Sequence, residues 1–410
     1  MRSVCISGYG VVSPLGHDLV SFDTALFGGH SAVRAERLEL PGNDAVLVPL
    51  ARCAFDAGAL RAPSRLPLDR GSAMALAAAE SAARAAALDA QTCDPERLGV
   101  YWGSGMGGAE TFDASCHAVY GQHKRIRPTS VVTGMPNAPL AELALRFGAQ
   151  GAALGYACAC ASAAVAIGEA LHALREDRLD VAIVGGSEAM LSGGVIGAWQ
   201  ALRVLAAVGD GNAAEAARAC RPFAPDRSGF ALGEGAAALV LETEAHARAR
   251  GVVWHVLLSG YATNCDARHI TMPDPTGQAR AMHAALRDAG LSATDIGHVN
   301  AHGTATLAGD AAEAESLNKV FGHSPPAVTA TKAIVGHLLG AGSALELVAT
   351  LRALERQLIP PTANVMQVDP AFDIDLVLGH ARSAPGLRHA MSNAFAFGGT
   401  NAVLIASRAD

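Results

Sequence analysis

Residues 160–177 read CASAAVAIGEALHALRED, and residues 337–357 read HLLGAGSALELVATLRALERQ. Each stretch opens on a reactive side chain, crosses a patch of small residues and continues as an amphipathic helical pattern. The same order met twice in one chain is the signature of an internal duplication, two similar halves meeting face to face. A second explanation, that Ala-rich helices resemble one another whatever their origin, stays open at this point. A boundary near 245–252, within the charged run EAHARARG, would part the chain into residues 1–248, carrying Cys160, and 249–410, carrying His337.

Outward from these two stretches, apolar runs with the look of buried strands recur at 4–12, 98–105, 181–186, 235–242, 252–263, 296–304, 327–332 and 401–407. Ala-rich helical patterns lie between them, as at 72–87, 161–175 and 277–289. Such alternation predicts an α/β protein with mostly parallel sheets covered on both faces.

At 410 residues, and roughly 150 per domain, the chain has ample material for a large core. Half of it is hydrophobic, 17% is charged and 44 residues are Gly, a composition of closely approaching backbones rather than disorder. Lys plus Arg number 31 against 38 Asp plus Glu, and a net charge of −7 leaves no global basic field for nucleic acid or an anionic membrane. The start, MRSVCISGYGVVSPLG, shows no secretory signal. Phe147 to Gly168 is free of charge, but Gly, Ala, Ser and Cys dominate it, so it reads as buried core rather than a membrane span. Eight scattered Cys without a paired framework suit a reducing cytoplasm.

Four Gly-rich segments carry the chemistry, around Cys160, around His302, at 331–337 and at 393–401, each where a strand yields to a turn or helix. Ligand sites of α/β sheets gather at such strand ends. At a helix start, Cys160 would meet unsatisfied amides and the positive dipole end, which predicts a thiol pKa lowered by roughly 1.5 units. Cys158, two residues earlier, reads as packing. Two neutral imidazoles, those of His302 and His337, can donate hydrogen bonds to one carbonyl oxygen and stabilise an enolate as it forms. A zinc site would need further ligands, and no HxxEH-like spacing is present.

Seven segments, in order, resemble the β-ketoacyl-acyl carrier protein synthases of the I/II type, condensing enzymes of the thiolase superfamily. They are SGMGG (104–108), ACASA (159–163), GGSEA (185–189), RPFAPDRSGFALGEG (221–235), AHGTAT (301–306), KAIVGHLLGAG (332–342) and FAFGGTN (395–401). The likeness covers nearly the whole chain. It implies a thiolase-like five-layered αβαβα fold from two duplicated halves, and a decarboxylative Claisen condensation of malonyl-acyl carrier protein with an acyl thioester on Cys160. A type II polyketide or aryl polyene ketosynthase, or one subunit of a ketosynthase heterodimer, shares all these motifs and is the alternative.

Roles follow from the resemblance. Backbone amides of Cys160 and Phe397 would hold the tetrahedral oxyanion, and His302 and His337 the enolate. Lys332 would link Asp310, Glu313 and His302 as a support, with Glu346 in the same surroundings. Thr271, Thr304 and Thr306 would bind the phosphopantetheine arm. Phe397 would act as a gate beside Phe395 and Gly398, and Met106 would line the acyl pocket. Arg61, Arg65, Arg70, Lys124, Arg125 and Arg203 would dock the acidic carrier protein. No cofactor or metal is implied, since substrates arrive on the phosphopantetheine arm; the expected assembly is a homodimer, or a heterodimer with a sister subunit. Ala396 departs from the family's usual Gly, which bears on gate mobility. A thiolase would carry a second Cys within 391–410, where there is none; a type III synthase would pair its Cys with His and Asn; a chain-length factor would lack the nucleophile.

Overall fold

A computed structural model describes residues 2–39, 45–89, 92–209, 212–322 and 324–409. In the first half, strands β1 (Val4–Val12), β2 (Leu98–Gly103), β3 (Ala153–Tyr156), β4 (Val181–Glu188) and β5 (Gly235–Thr243) pair in the order β1-β5-β4-β2-β3. In the second, β6 (Val256–Cys265), β7 (His298–Asn300), β8 (Ala327–Thr329), β9 (His389–Phe395) and β10 (Thr400–Arg408) pair in the order β6-β10-β9-β7-β8, with Asp375–Leu376 at the far edge. The two orders are the same, strand for strand. A single antiparallel pair, Cys5 with Leu257, joins them.

The sheets are mixed rather than mostly parallel. β2 runs parallel to β3 and β4, as β7 does to β8 and β9, whereas β5 and β10 run antiparallel to both of their neighbours within their own half. The sequence misleads here because a strand buried on both faces is continuously apolar whichever way it runs. β5 and β10 are such strands.

Among the described residues, three of the four hydrophobic cores stack through the layers, and the fourth surrounds Cys160. Helix α1 (Arg70–Ala85) and helix α2 (Ala138–Phe147) cover the outer face of the first sheet. Helix α3 (Ser162–Arg175) lies between the sheets with α6 (Gly342–Arg356), and their shared core draws residues from β1, β4, β5 and β10. Helix α4 (Pro275–Ala289) and helix α5 (Leu307–Phe321) cover the outer face of the second sheet. This gives the five layers αβαβα. Small residues make the central layer possible: a Cβ on Gly168 of α3 would sit 2.2 Å from the Tyr261 ring.

No helix among the described residues is long and apolar enough to cross a membrane. The uncharged stretch 147–168 is divided among the end of α2, strand β3, a short turn and the start of α3.

Candidate active site

Cys160 sits in a 3-10 turn, Ala159–Ala161, one step before α3 begins at Ser162. The turn is entered through Ala159 at φ +48, a left-handed conformation costly for a residue with a side chain, and such strain is stored where the surroundings enforce it. His302 follows the C-terminal end of β7, and His337 follows the short helix Lys332–Val335. The His337 backbone is pinned to the neighbouring strand: its N–H donates to the Ala231 carbonyl at 2.7 Å, and its carbonyl accepts from Gly233 N at 3.0 Å.

These three side chains, far apart in sequence, converge. His337 Nε2 lies 3.0 Å from Cys160 Sγ, and the two imidazole rings stand edge to face with centroids 5.5 Å apart. Donor atoms of Cys160, His302 and His337 all lie within 4.8 Å of one another, a spacing a metal ion could also use. The hydrogen bonding favours a different task. Lys332 Nζ, paired with Glu346, donates to His302 Nδ1 at 3.2 Å, so the remaining ring proton sits on Nε2, a donor rather than a ligand.

Burial dominates the electrostatics. It pushes the Cys160 thiol up to about 12, against the pull of Lys332 and of a hydrogen bond from the Phe397 amide. Desolvation of the buried thiolate works against the lowering expected from the helix dipole. Burial and then the Lys332 charge hold both His302 and His337 well below the ordinary imidazole range, so both are neutral near pH 7.

The carboxylates divide the supporting work. Glu313 accepts the backbone N–H of His302 and of Gly303, each at 2.8 Å, and Asn393 Nδ2 at 3.3 Å. Glu346 pairs with Lys332. Asp310 does not join Lys332, contrary to expectation. It accepts from Phe223 N at 2.7 Å and Ala305 N at 3.0 Å and lies 3.7 Å from Arg227, fixing the loop between Thr304 and Thr306.

A cavity of about 270 Å³ opens over the nucleophile. Cys160, His302, His337, Phe395 and Phe397 line its floor, and Thr271, Thr304 and Thr306 also line it. Gly398 stands just outside the lining, with φ +86 and its N–H on the Ile270 carbonyl at 2.7 Å. Met106 does not line this cavity. The residue is 40% exposed, and its backbone N–H donates to buried Glu188 at 3.1 Å.

Of the basic residues, Arg61, Arg65, Lys124, Arg125 and Arg203 are exposed, and Arg203 lies between cavity-lining Leu202 and Val204. Arg70 is a correction. Its guanidinium forks onto fully buried Glu234 at 2.7 and 2.8 Å and onto two carbonyls, which makes it an internal counter-ion rather than a docking group.

Two aromatic residues at the site escaped sequence reasoning. Trp199 stacks on Phe397 at 6.3 Å, and Phe230 stands edge-on to His337 at 5.1 Å. Phe230 falls inside one of the seven segments; Trp199 lies in an ordinary helical stretch with no signal of its own.

A buried thiol, two neutral imidazoles and a backbone amide facing one apolar cavity define an acyl-transferring, carbon–carbon bond-forming centre. The chain belongs to the β-ketoacyl synthase family: the family's N-terminal domain matches residues 1–247 and its C-terminal domain residues 255–366. It is 37% identical to nodulation protein E of Rhizobium sp. (strain N33) over 411 residues, 98% of each chain. It is 33% identical to 3-oxoacyl-[acyl-carrier-protein] synthase 2 of Staphylococcus aureus (strain COL), again over 98% of each. Among solved structures, the ishigamide ketosynthase/chain length factor superposes with a TM-score of 0.89 at 29% identity, covering both chains fully. The protein is thus an acyltransferase of the β-ketoacyl synthase kind, built on the thiolase-like fold.

Proposed function

We propose that this chain condenses an acyl group held on Cys160 with malonyl-acyl carrier protein, giving a 3-oxoacyl product longer by two carbons and releasing carbon dioxide. The observation that carries this reading is the 3.0 Å contact of His337 Nε2 with Cys160 Sγ. In the first half-reaction the thiol attacks the incoming thioester while His337 accepts its proton. The oxyanion rests on the Cys160 and Phe397 amides, and the departing pantetheine sulfur takes the proton from His337.

In the second, malonyl loses its carboxylate as carbon dioxide, and the enolate oxygen is held by His302 Nε2–H and, once the thiol has been acylated, by His337 in its Nε2–H tautomer. The carbanion carbon attacks the acyl thioester, the C–S bond breaks, and the Cys160 thiolate takes up one proton from solvent. Lys332 serves as the support that keeps His302 in the donor tautomer, with Glu346 as counter-ion and Glu313 and Asp310 fixing backbone. Thr271, Thr304 and Thr306 fit a pantetheine arm entering the cavity, which needs no resident cofactor.

Carrier-protein docking falls to exposed Arg61, Arg65, Lys124, Arg125 and Arg203. The edge strand β3, with Leu154 43% exposed, and nearby exposed Val131 and Val132 support pairing with a second chain, a copy or a sister subunit. The division into 1–248 and 249–410 follows the repeated strand order, and free thiols throughout fit a cytoplasmic setting. Likeness to nodulation protein E and to a ketosynthase/chain length factor keeps a specialised or polyketide pathway as the second reading. The test is direct: purified protein with acyl-carrier proteins of graded chain length and malonyl-carrier protein should yield 3-oxoacyl products, and no product at any length would reject the reading.

A further inference from the structure

The repeated topology gives Cys160 a counterpart. Ala159–Ala161 and Leu339–Ala341 are both 3-10 turns, both begin with a left-handed residue, and each feeds a central helix. Gly340 therefore stands in the second half where Cys160 stands in the first. No side chain fits there: a Cβ on Gly340 would lie 2.1 Å from Gly105 N and 2.8 Å from a Glu188 oxygen.

Glu188, at the end of β4 and 0% exposed, fills the space facing the counterpart turn. Its Oε2 accepts from Gly105 N at 2.7 Å and Gly340 N at 3.0 Å; its Oε1 accepts from Met106 N and from Ser104 Oγ, each at 3.1 Å. Four donors from two halves of the chain saturate one carboxylate. The clamped loop also lies beside the nucleophile's own turn, since a Cβ added at Gly105 would stand 3.5 Å from the Ala159 carbonyl. Three residues before Gly340 stands His337.

We propose that Glu188 is a positioning residue for condensation: by locking the Ser104–Met106 loop onto the Gly340 turn, it fixes the backbone on which His337 and Cys160 meet. The proposal rests on the condensing role given above. A small displacement of reacting groups costs up to about 10²-fold in rate, whereas binding of the pantetheine arm on the far side of the cavity is untouched.

The test is a graded pair, Ser104→Ala, which removes one donor to Glu188 and the acceptor of Gly107 N, and Glu188→Gln, which removes the charge and one acceptor. Both are assayed for kcat and KM with carrier-bound substrates, alongside circular-dichroism melting. The expected result is a fall in kcat of about 3- to 10-fold for Ser104→Ala and about 10²-fold for Glu188→Gln, with KM within about twofold. Ser104→Ala retains three of the four bonds and decides the matter if Glu188→Gln does not fold. A folded Ser104→Ala with unchanged kcat, or losses that only track the unfolded fraction, would overturn the proposal. Wild-type protein that makes no product would instead reject the condensing role itself.

Discussion

His337 Nε2 meets Cys160 Sγ at 3.0 Å across 177 positions of sequence, which places an imidazole where it can take the thiol proton. Burial pushes the thiol up to about 12 and so disfavours a standing thiolate; in the proposed mechanism sulfur becomes reactive as its proton passes to the imidazole.

An epoxide electrophile with an apolar tail should therefore label Cys160 and spare Cys158. Peptide mass spectrometry locates the adduct. Labelling should lack the plateau above pH 8.5 that a free thiol shows, and His337→Ala should slow it by about 10²-fold, the ordinary worth of a general base. An adduct on Cys158 would reverse the assignment.

His302→Ala should cost condensation about 10²- to 10³-fold, the loss typical of one oxyanion donor, while leaving part of the acyl transfer to Cys160. Radiolabelled acyl transfer and product formation, measured separately, read the two halves. Equal loss in both would give His302 another role.

The acid limb of condensation should fall well below pH 6.5. Burial and Lys332 depress both imidazoles, and a base with a lowered pKa stays neutral to a lower pH. Single-turnover rates of pre-acylated enzyme between pH 5 and 8 check this, and a limb at 6.5 would mean that one imidazole titrates as if exposed.

Stability should decline on the alkaline side. Cys5, Cys160 and Cys220 are each pushed up to about 12 by burial, from an ordinary 9.0. In the unfolded chain those thiols ionise near 9, so their contribution is intact below that pH and is lost as pH rises from 9 toward 12. Urea midpoints at pH 8 and 10.5 should differ accordingly; equal midpoints would contradict it.

Arg70 and Arg65 should part company. Arg70→Ala strands the buried Glu234 carboxylate and should lower stability by about 3 kcal/mol with KM unchanged, read by chemical denaturation. Arg65→Glu, at an exposed position, should raise KM for carrier-bound substrates and leave stability alone. An unchanged KM would discard that surface.

The seven segments led to Cys160, His302, His337, Lys332 and Phe397 because each residue falls inside a string whose order along the chain matches a known family. Partners were harder to read. That Arg70 answers Glu234, 164 residues away, or that Asp310 answers Phe223 and Ala305, depends on which groups the fold leaves buried. The helix start behind Cys160 was legible, but the depth at which its thiol is buried was not. Strand direction in β5 and β10 was invisible because both faces are covered.

The crowding at Gly340 bears on where an acyl group can be loaded. Since the symmetric position admits no atom beyond Cα, the second half has no room for a matching loading point there, and a Cys placed at 340 would require the Ser104–Met106 loop to be rebuilt.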